Sequence, residues 1–137
     1  MRRRLHERLR AAASDDGGAS PVEFVLVGTL LTVLTLGVLQ LGLTIYVRNV
    51  LHDAAVEGAY HAALADTSLA EGALRTSRIV TRAVGAEYAS DIVARERDGS
   101  GGPVIELTVR APFPLVGLLG IPRMLEVTAH APVESFD

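Results

Sequence analysis

Residues 24 to 47 of the chain read FVLVGTLLTVLTLGVLQLGLTIYV and contain no aspartate, glutamate, lysine, arginine or histidine. An α-helix rises about 1.5 Å per residue, so this uncharged block would form a helix of about 36 Å. That length is enough to cross a hydrocarbon core of about 30 Å with some tilt. The block therefore predicts one membrane-spanning helix, and in a chain of 137 residues it leaves room for one small domain.

The composition excludes several classes of function. The chain has no cysteine, which excludes disulfides, thiolate zinc sites and cysteine nucleophiles. Aromatic residues make up 4% of the chain and the net charge is −3, and both values argue against a nucleic-acid partner. The sequence carries no nucleophile elbow, P-loop or dinucleotide fingerprint. We therefore expect no catalytic site, no metal site and no cofactor.

The charges are distributed unevenly about the apolar block. Residues 1–18 carry five arginines and three acids, a net charge of +2, whereas residues 19–137 carry eight arginines and 13 acids, a net charge of −5. Arginines on the short flank favour a cytoplasmic N-terminus by the positive-inside rule. We therefore expect a single-pass protein of the cytoplasmic membrane whose C-terminal domain lies outside the cytoplasm.

The sequence around the block predicts a helix that is longer than the span itself. Ser20 and Glu23 fit a capping box, and Pro21 fits the first helical position. Beyond the block, residues 49–65 read NVLHDAAVEGAYHAALA and contain no proline. Asp53, Glu57 and His61 share one face of this alanine-rich stretch, as is typical of a solvated face. The pattern predicts one helix of more than forty residues.

The remainder of the chain predicts a small mixed domain. Ser68 and Glu71 form a second capping box that opens a helix to about Ala86. Residues 92–96, 105–111 and 125–131 read as strands, with a hairpin loop at 98–102 and an apolar loop at 112–122. The expected fold class is therefore α+β: a single N-terminal transmembrane helix that extends into an alanine-rich helix, a second helix and a small antiparallel sheet. A sheet of about three strands needs a helix on its apolar face to be stable.

One face of the span is smaller and more polar than the rest. It is formed by Gly28, Thr32, Thr35, Gly42 and Tyr46. Small residues allow close approach between membrane helices, so this face is a candidate for helix packing. Alternatively, the face has no special role, because glycine is common in membrane helices in general. Gln40 is the one strongly polar side chain in the middle of the span and is a candidate for a contact with a partner.

The stretch GGASPVEF, residues 17–24, stands directly before and at the start of the apolar block. It resembles the processing site of type IV pilin-like precursors, which a membrane-embedded aspartyl peptidase cuts after a glycine. The resemblance implies cleavage between Gly18 and Ala19, with Glu23 as the fifth residue of the mature chain. Pro21 and Val22 depart from the small residues that are usual at their positions.

The combined pattern is most similar to the TadE-like pseudopilins of tight-adherence (Tad/Flp) pilus systems. The Glu23-Phe24 pair contributes to this resemblance, as do Asn49, Ala54, Ala55, Glu57, Gly58 and Ala59. The resemblance implies a pilin-like fold with a leader at 1–18, a membrane and extended helix at 19–66 and an exposed domain at 67–137. It also implies three kinds of partner besides the membrane: a prepilin peptidase, other pilin or pseudopilin subunits, and inner-membrane platform proteins.

Glu23 has two interpretations that the residues alone leave open. A carboxylate in a membrane helix costs up to about 2.5–3.5 kcal/mol at the bilayer centre, so it usually has a function. After cleavage, the new amine of Ala19 in one subunit can pair with Glu23 of a neighbour and set the axial register, with Phe24 beside it. The other interpretation is the capping box. For the whole chain, the alternative to a pilin is an uncleaved single-pass anchor or scaffold of an envelope complex.

Overall fold

The computed structural model describes residues 19–114 and 124–134, so the predicted leader at 1–18 and most of the predicted apolar loop lie outside the described residues. The elements in chain order are α1 (Ala19–Ala63), α2 (Leu69–Ala83), a 3₁₀ turn (Ala86–Ala89), β1 (Asp91–Gly99), β2 (Gly102–Pro112) and β3 (Met124–Pro132). This order confirms the predicted α+β class. The chain divides into two compact units, residues 1–39 and 40–137, and the boundary falls within α1.

Helix α1 is 45 residues long, which confirms the prediction of one helix of more than forty residues. Its start differs from the prediction, because Ala19 and Ser20 already lie in the helix. Ser20 is therefore not the N-cap, and the predicted Ser20–Glu23 capping box is wrong. Pro21 does not prevent the earlier start, since residues in the first turn have no intrahelical acceptor for their N–H groups.

Helix α2 begins as the sequence predicts and ends earlier. The Ser68 backbone N–H donates to Glu71 Oε2 at 2.8 Å, and the Glu71 N–H donates to Ser68 Oγ at 3.3 Å. These hydrogen bonds from Ser68 hold the pKa of Glu71 below its ordinary value. The helix ends at Ala83, and beyond it the Gly85 N–H donates to the Val80 carbonyl five residues earlier, which departs from the helical hydrogen-bond pattern. Gly85 has φ +118°, a conformation that residues with a Cβ rarely adopt.

The three strands form one antiparallel sheet in the order β1-β2-β3. Gly99 pairs with Gly102, so the predicted hairpin loop shortens to the two residues Ser100 and Gly101. On β2 and β3 every second side chain is buried, which confirms the predicted alternation. The buried positions are Ile105, Leu107, Val109, Ala111, Leu125, Val127, Ala129 and Ala131.

The apolar face of the sheet is covered by the alanine-rich part of α1, which supplies the helix that such a sheet needs. The helix contributes one side to the same hydrophobic cluster, namely Val47, Leu51, Ala54, Ala55, Ala59, Ala62 and Ala63. Most of these side chains are single methyl groups, so the helix axis can lie close to the sheet. Packing density in a protein interior is high, and this closeness leaves little space for larger side chains.

Helices α1 and α2 cross at a pair of glycines, Gly58 and Gly72, a contact that the sequence analysis above does not predict. A Cβ on Gly72 would lie 2.5 Å from Ala62 Cβ and 2.6 Å from the Gly58 carbonyl oxygen. A Cβ on Gly58 would lie 2.8 Å from the Gly72 carbonyl oxygen. The fully buried Thr76 hydroxyl lies 3.1 Å from the carbonyl oxygens of Ala54 and Gly72. The backbones therefore touch directly at this crossing.

We expect Gly58→Ala to destabilise the domain by about 1–3 kcal/mol, because the added methyl group overpacks the crossing. Gly37→Ala is the matched control, since a Cβ on Gly37 has nothing within 4 Å. Each full-length variant is unfolded with urea in detergent, and unfolding is monitored by far-UV circular dichroism. Equal unfolding midpoints for the two variants would contradict the close crossing.

Candidate functional site

The predicted processing and assembly residues lie at the described start of α1. Gly18 lies outside the described residues, so only the Ala19 side of the predicted scissile bond is described, as the first residue of α1. Glu23 is exposed, and Phe24 beside it is 80% exposed. Within residues 19–114 and 124–134 the Glu23 side chain forms no hydrogen bond or ion pair. Its carboxylate is therefore available for a contact outside the described chain.

The first half of α1 exposes a continuous apolar surface. None of the most apolar 18-residue window is buried, and the helix is long and apolar enough to cross a membrane. The exposed side chains include Val25, Leu26, Leu30, Leu34, Leu36 and Leu39. A single-pass membrane protein fits this finding, since an apolar face that stays in water opposes folding.

The predicted packing face is open in the structure. Neither Gly28 nor Gly42 has an atom within 4 Å of the place where a Cβ would stand, and Tyr46 is 54% exposed. The hydroxyls of Thr32 and Thr35 donate to the carbonyl oxygens four residues earlier, both at 2.8 Å. These hydroxyl protons are therefore already hydrogen-bonded within α1. This face would allow a partner helix to approach closely but would not donate hydroxyl hydrogen bonds to it.

Gln40 contacts its own chain. Its Nε2 donates to the backbone carbonyl of Pro114, which follows the end of β2. Pro114 is buried and Gln40 is half-buried. The polar side chain in the middle of the apolar block therefore ties α1 to the connection that leaves β2.

The row of titratable side chains after the span is a solvated face, as predicted. Glu57 Oε1 accepts from Arg75 Nη2 at 2.6 Å and from Arg75 Nε at 3.0 Å. Both side chains are about half exposed, and such surface pairs contribute little to stability. Among the described residues no group of three histidine or acidic side chains could hold a metal ion. The expected absence of a cofactor stays a prediction.

The outer face of the sheet carries a charged cluster. Arg110 Nε donates to Glu126 Oε2 at 2.7 Å, and this hydrogen bond raises the pKa of Arg110 above its ordinary value. Arg97 Nε lies 3.0 Å from Glu106 Oε1. The cluster borders a cavity of about 280 Å³. Alternation predicts which of these residues face outward, but only the strand register decides which of them pair.

The first 45 residues of the described chain, which form α1, include most of a segment that is similar to a known protein family. Residues 18–59 match the family model of TadE-like protein. This match confirms the resemblance that residues 17–24 and 49–59 suggested. The comparisons with curated proteins and with solved structures give no match. The matched residues, which we call the TadE-like segment, end within α1, so α2 and the sheet lie outside the match.

The TadE-like segment contains the helix crossing as well as the span. Gly58, one of the residues that carry the resemblance to the family, is the residue at which α1 touches α2. A signal for this contact is present in the sequence, because Ala54, Gly58 and Ala62 repeat small residues every fourth position. Repeated small residues on one helix face are typical of close helix packing, in water as in membranes.

If the glycine and threonine face packs against another helix, leucine at Gly28 and Gly42 should weaken that association. Overpacking of this kind costs about 1–3 kcal/mol, which is tenfold or more in affinity for most of that range. Gly37→Leu is the matched control, because Gly37 lies on the opposite side of α1 and is equally open. The measurement is chemical crosslinking of the full chain in membranes, scored as the fraction recovered in complexes. An equal loss from Gly37→Leu would show that the predicted face has no special role.

Proposed function

We propose that the chain is a TadE-like pseudopilin or minor pilin of a Tad-type pilus or secretion system. The observation that carries the proposal is the coincidence of two findings in one segment. The family match covers residues 18–59, and the same residues form most of a helix whose first half is apolar and uncovered. A helix of this kind can be held in the membrane and can also pack against identical helices in a filament.

The proposed maturation step is hydrolysis of the Gly18–Ala19 peptide bond by a prepilin peptidase. Water adds across this bond, which leaves a carboxylate on the leader and an amine on Ala19. The mature chain would then contain 137 − 18 = 119 residues. The family match begins at Gly18, and Glu23 lies at the fifth position after the proposed cut. Removal of the leader would also remove five arginines from the cytoplasmic flank.

The proposed assembly contact pairs Glu23 with the new amine of Ala19 in a neighbouring subunit. The Glu23 carboxylate has no partner within the described chain, and the adjacent Phe24 side chain is largely exposed. A carboxylate and an ammonium group out of water are stable only as a pair, because either one alone carries a large desolvation cost. This penalty would fix the axial offset between subunits.

The proposed location is the cytoplasmic membrane, with the N-terminus in the cytoplasm and the C-terminal domain outside it. The excess of arginine before the span supports this orientation. The proposed partners are the prepilin peptidase, other pilin or pseudopilin subunits and inner-membrane platform proteins. The exposed domain would contact other pilins or control assembly.

Mass spectrometry of the membrane-extracted protein tests the maturation step. In cells that carry the prepilin peptidase, we expect a chain that begins at Ala19, and in cells that lack it a chain that retains residues 1–18. The same spectra show whether the Ala19 amine is methylated. An uncleaved chain in both strains would reject the pilin proposal and favour the alternative, an uncleaved membrane anchor or scaffold.

The substitution Glu23→Gln tests the assembly contact separately from maturation. It removes the charge and keeps the side-chain shape, so we expect membrane insertion to remain normal while assembly into pili is lost. Glu96→Gln is the control for the loss of one acid, because Glu96 is an exposed residue of β1. The measurements are carbonate extraction of membranes and the amount of sheared pilus material. Normal assembly of Glu23→Gln would rule out the pairing.

A further inference from the structure

The sheet lies lengthwise along the second part of α1. At one end Gln40 donates to the Pro114 carbonyl, and at the other end the Glu134 backbone N–H donates to the Ala63 carbonyl at 3.1 Å. From Gln40 to Ala63 the helix rises about 35 Å, and from Pro103 to Pro114 a strand extends about 36 Å. The two lengths agree, so the end of β2 and the paired start of β3 lie at the Gln40 end of this helical stretch.

Gln40 lies within the part of α1 that a bilayer needs. A transmembrane helix requires about twenty apolar residues, so a span that starts at Phe24 reaches about Leu43. The stretch from Phe24 to Leu39 would by itself be only about 24 Å long, which is shorter than the hydrocarbon core of about 30 Å. Pro114, whose carbonyl accepts from Gln40, is therefore at the level of the last turn of a span that starts at Phe24.

The end of the sheet near Gln40 is apolar and the opposite end is charged, as expected if the first end lies at the membrane and the second lies in water. The end near Gln40 presents Pro112 and Phe113, together with Met124, whose side chain is 61% exposed. We call these three residues the apolar end of the sheet. The opposite end carries the exposed charges of Glu96, Arg97, Asp98 and Glu134.

Within β2 and β3, the charged side chains nearest to the apolar end are paired with each other. Arg110 and Glu126 stand two residues before Pro112 and two residues after Met124, and their side chains form a hydrogen-bonded ion pair at 2.7 Å. Contact with lipid at the apolar end would therefore bring no unpaired charge of these strands toward the hydrocarbon. The cost of an unpaired charge near lipid is large, so this pairing favours the contact.

We propose that the apolar end of the sheet lies against the lipid bilayer, at the boundary between head groups and acyl chains. The folded domain then contacts the membrane directly, and Met124 inserts its side chain among the lipids. The proposal rests on the proposed function to the extent that α1 spans a membrane. The inference goes beyond the proposed function because it assigns a lipid-binding surface to the domain outside the span.

Spin labels can test this contact, because the chain has no cysteine of its own. Three full-length single-cysteine variants are required: Met124→Cys at the apolar end, Leu31→Cys in the span and His130→Cys as the matched control. His130 is exposed on the same strand and the same face as Met124, about 20 Å farther along β3. Each variant is labelled with a nitroxide and reconstituted in vesicles of phosphatidylcholine and phosphatidylglycerol.

The readout is the collision rate of each label with oxygen, which concentrates in lipid, and with a water-soluble nickel chelate. We expect the label at 124 to collide several-fold less often with nickel than the label at 130 and to have a higher oxygen rate. The label at 31 should show the deepest lipid signature. Far-UV circular dichroism of the three labelled chains confirms that they keep the same fold.

The remaining outcomes overturn the proposal in distinguishable ways. If the label at 124 is as accessible to nickel as the label at 130 while the label at 31 is in lipid, the span is correct and the domain does not contact the membrane. If the label at 124 is shielded from both reagents, protein covers this end instead of lipid. If the label at 31 is accessible to nickel, the span fails, and both the membrane part of the proposed function and this inference fail with it.

Discussion

The burial of the alanine-rich face of α1 under the three-stranded sheet is the interaction on which the rest of the domain depends. A small sheet with one apolar face is unstable by itself, and here Leu51, Ala54, Ala55 and Ala59 form one cluster with Leu107 and Val109. Because the helix side chains are small, the sheet can pack close to the helix backbone. One continuous helix therefore provides both the apolar surface that fits a membrane and the surface on which the domain is built.

Small residues also allow α2 to pack closely against α1. Gly58 and Gly72 allow the two helix backbones to touch, and the buried Thr76 hydroxyl is satisfied by backbone carbonyl oxygens at the crossing. A hydroxyl buried without a partner would be costly, so the threonine and the glycines depend on each other. The surface ion pair of Glu57 with Arg75 lies on the same two helices but adds little, because both side chains are half in water.

The candidate assembly and packing residues lie on the exposed first half of α1. Glu23 and Phe24 are exposed, the glycines of the predicted packing face are open, and the threonine hydroxyls are bonded within their own helix. A segment of this kind is stabilised by contacts with other molecules, either lipid or other helices. The TadE-like segment contains this exposed start and most of the helix face that the sheet covers.

The sequence by itself determined the apolar span, the long helix, the capping box of Ser68 and Glu71, the alternation of β2 and β3, and the resemblance around Gly18 and Glu23. Each of these depends on local spacing or on intrinsic preference, which a sequence displays directly. Only the tertiary structure decided that Gly58 meets Gly72, that Gln40 bonds to Pro114 and that Arg110 pairs with Glu126. It also placed Ser20 inside α1 rather than at its cap. Contacts between residues distant in the chain depend on register and on the distance between helix axes, and neither quantity can be read from the spacing of residues within one element.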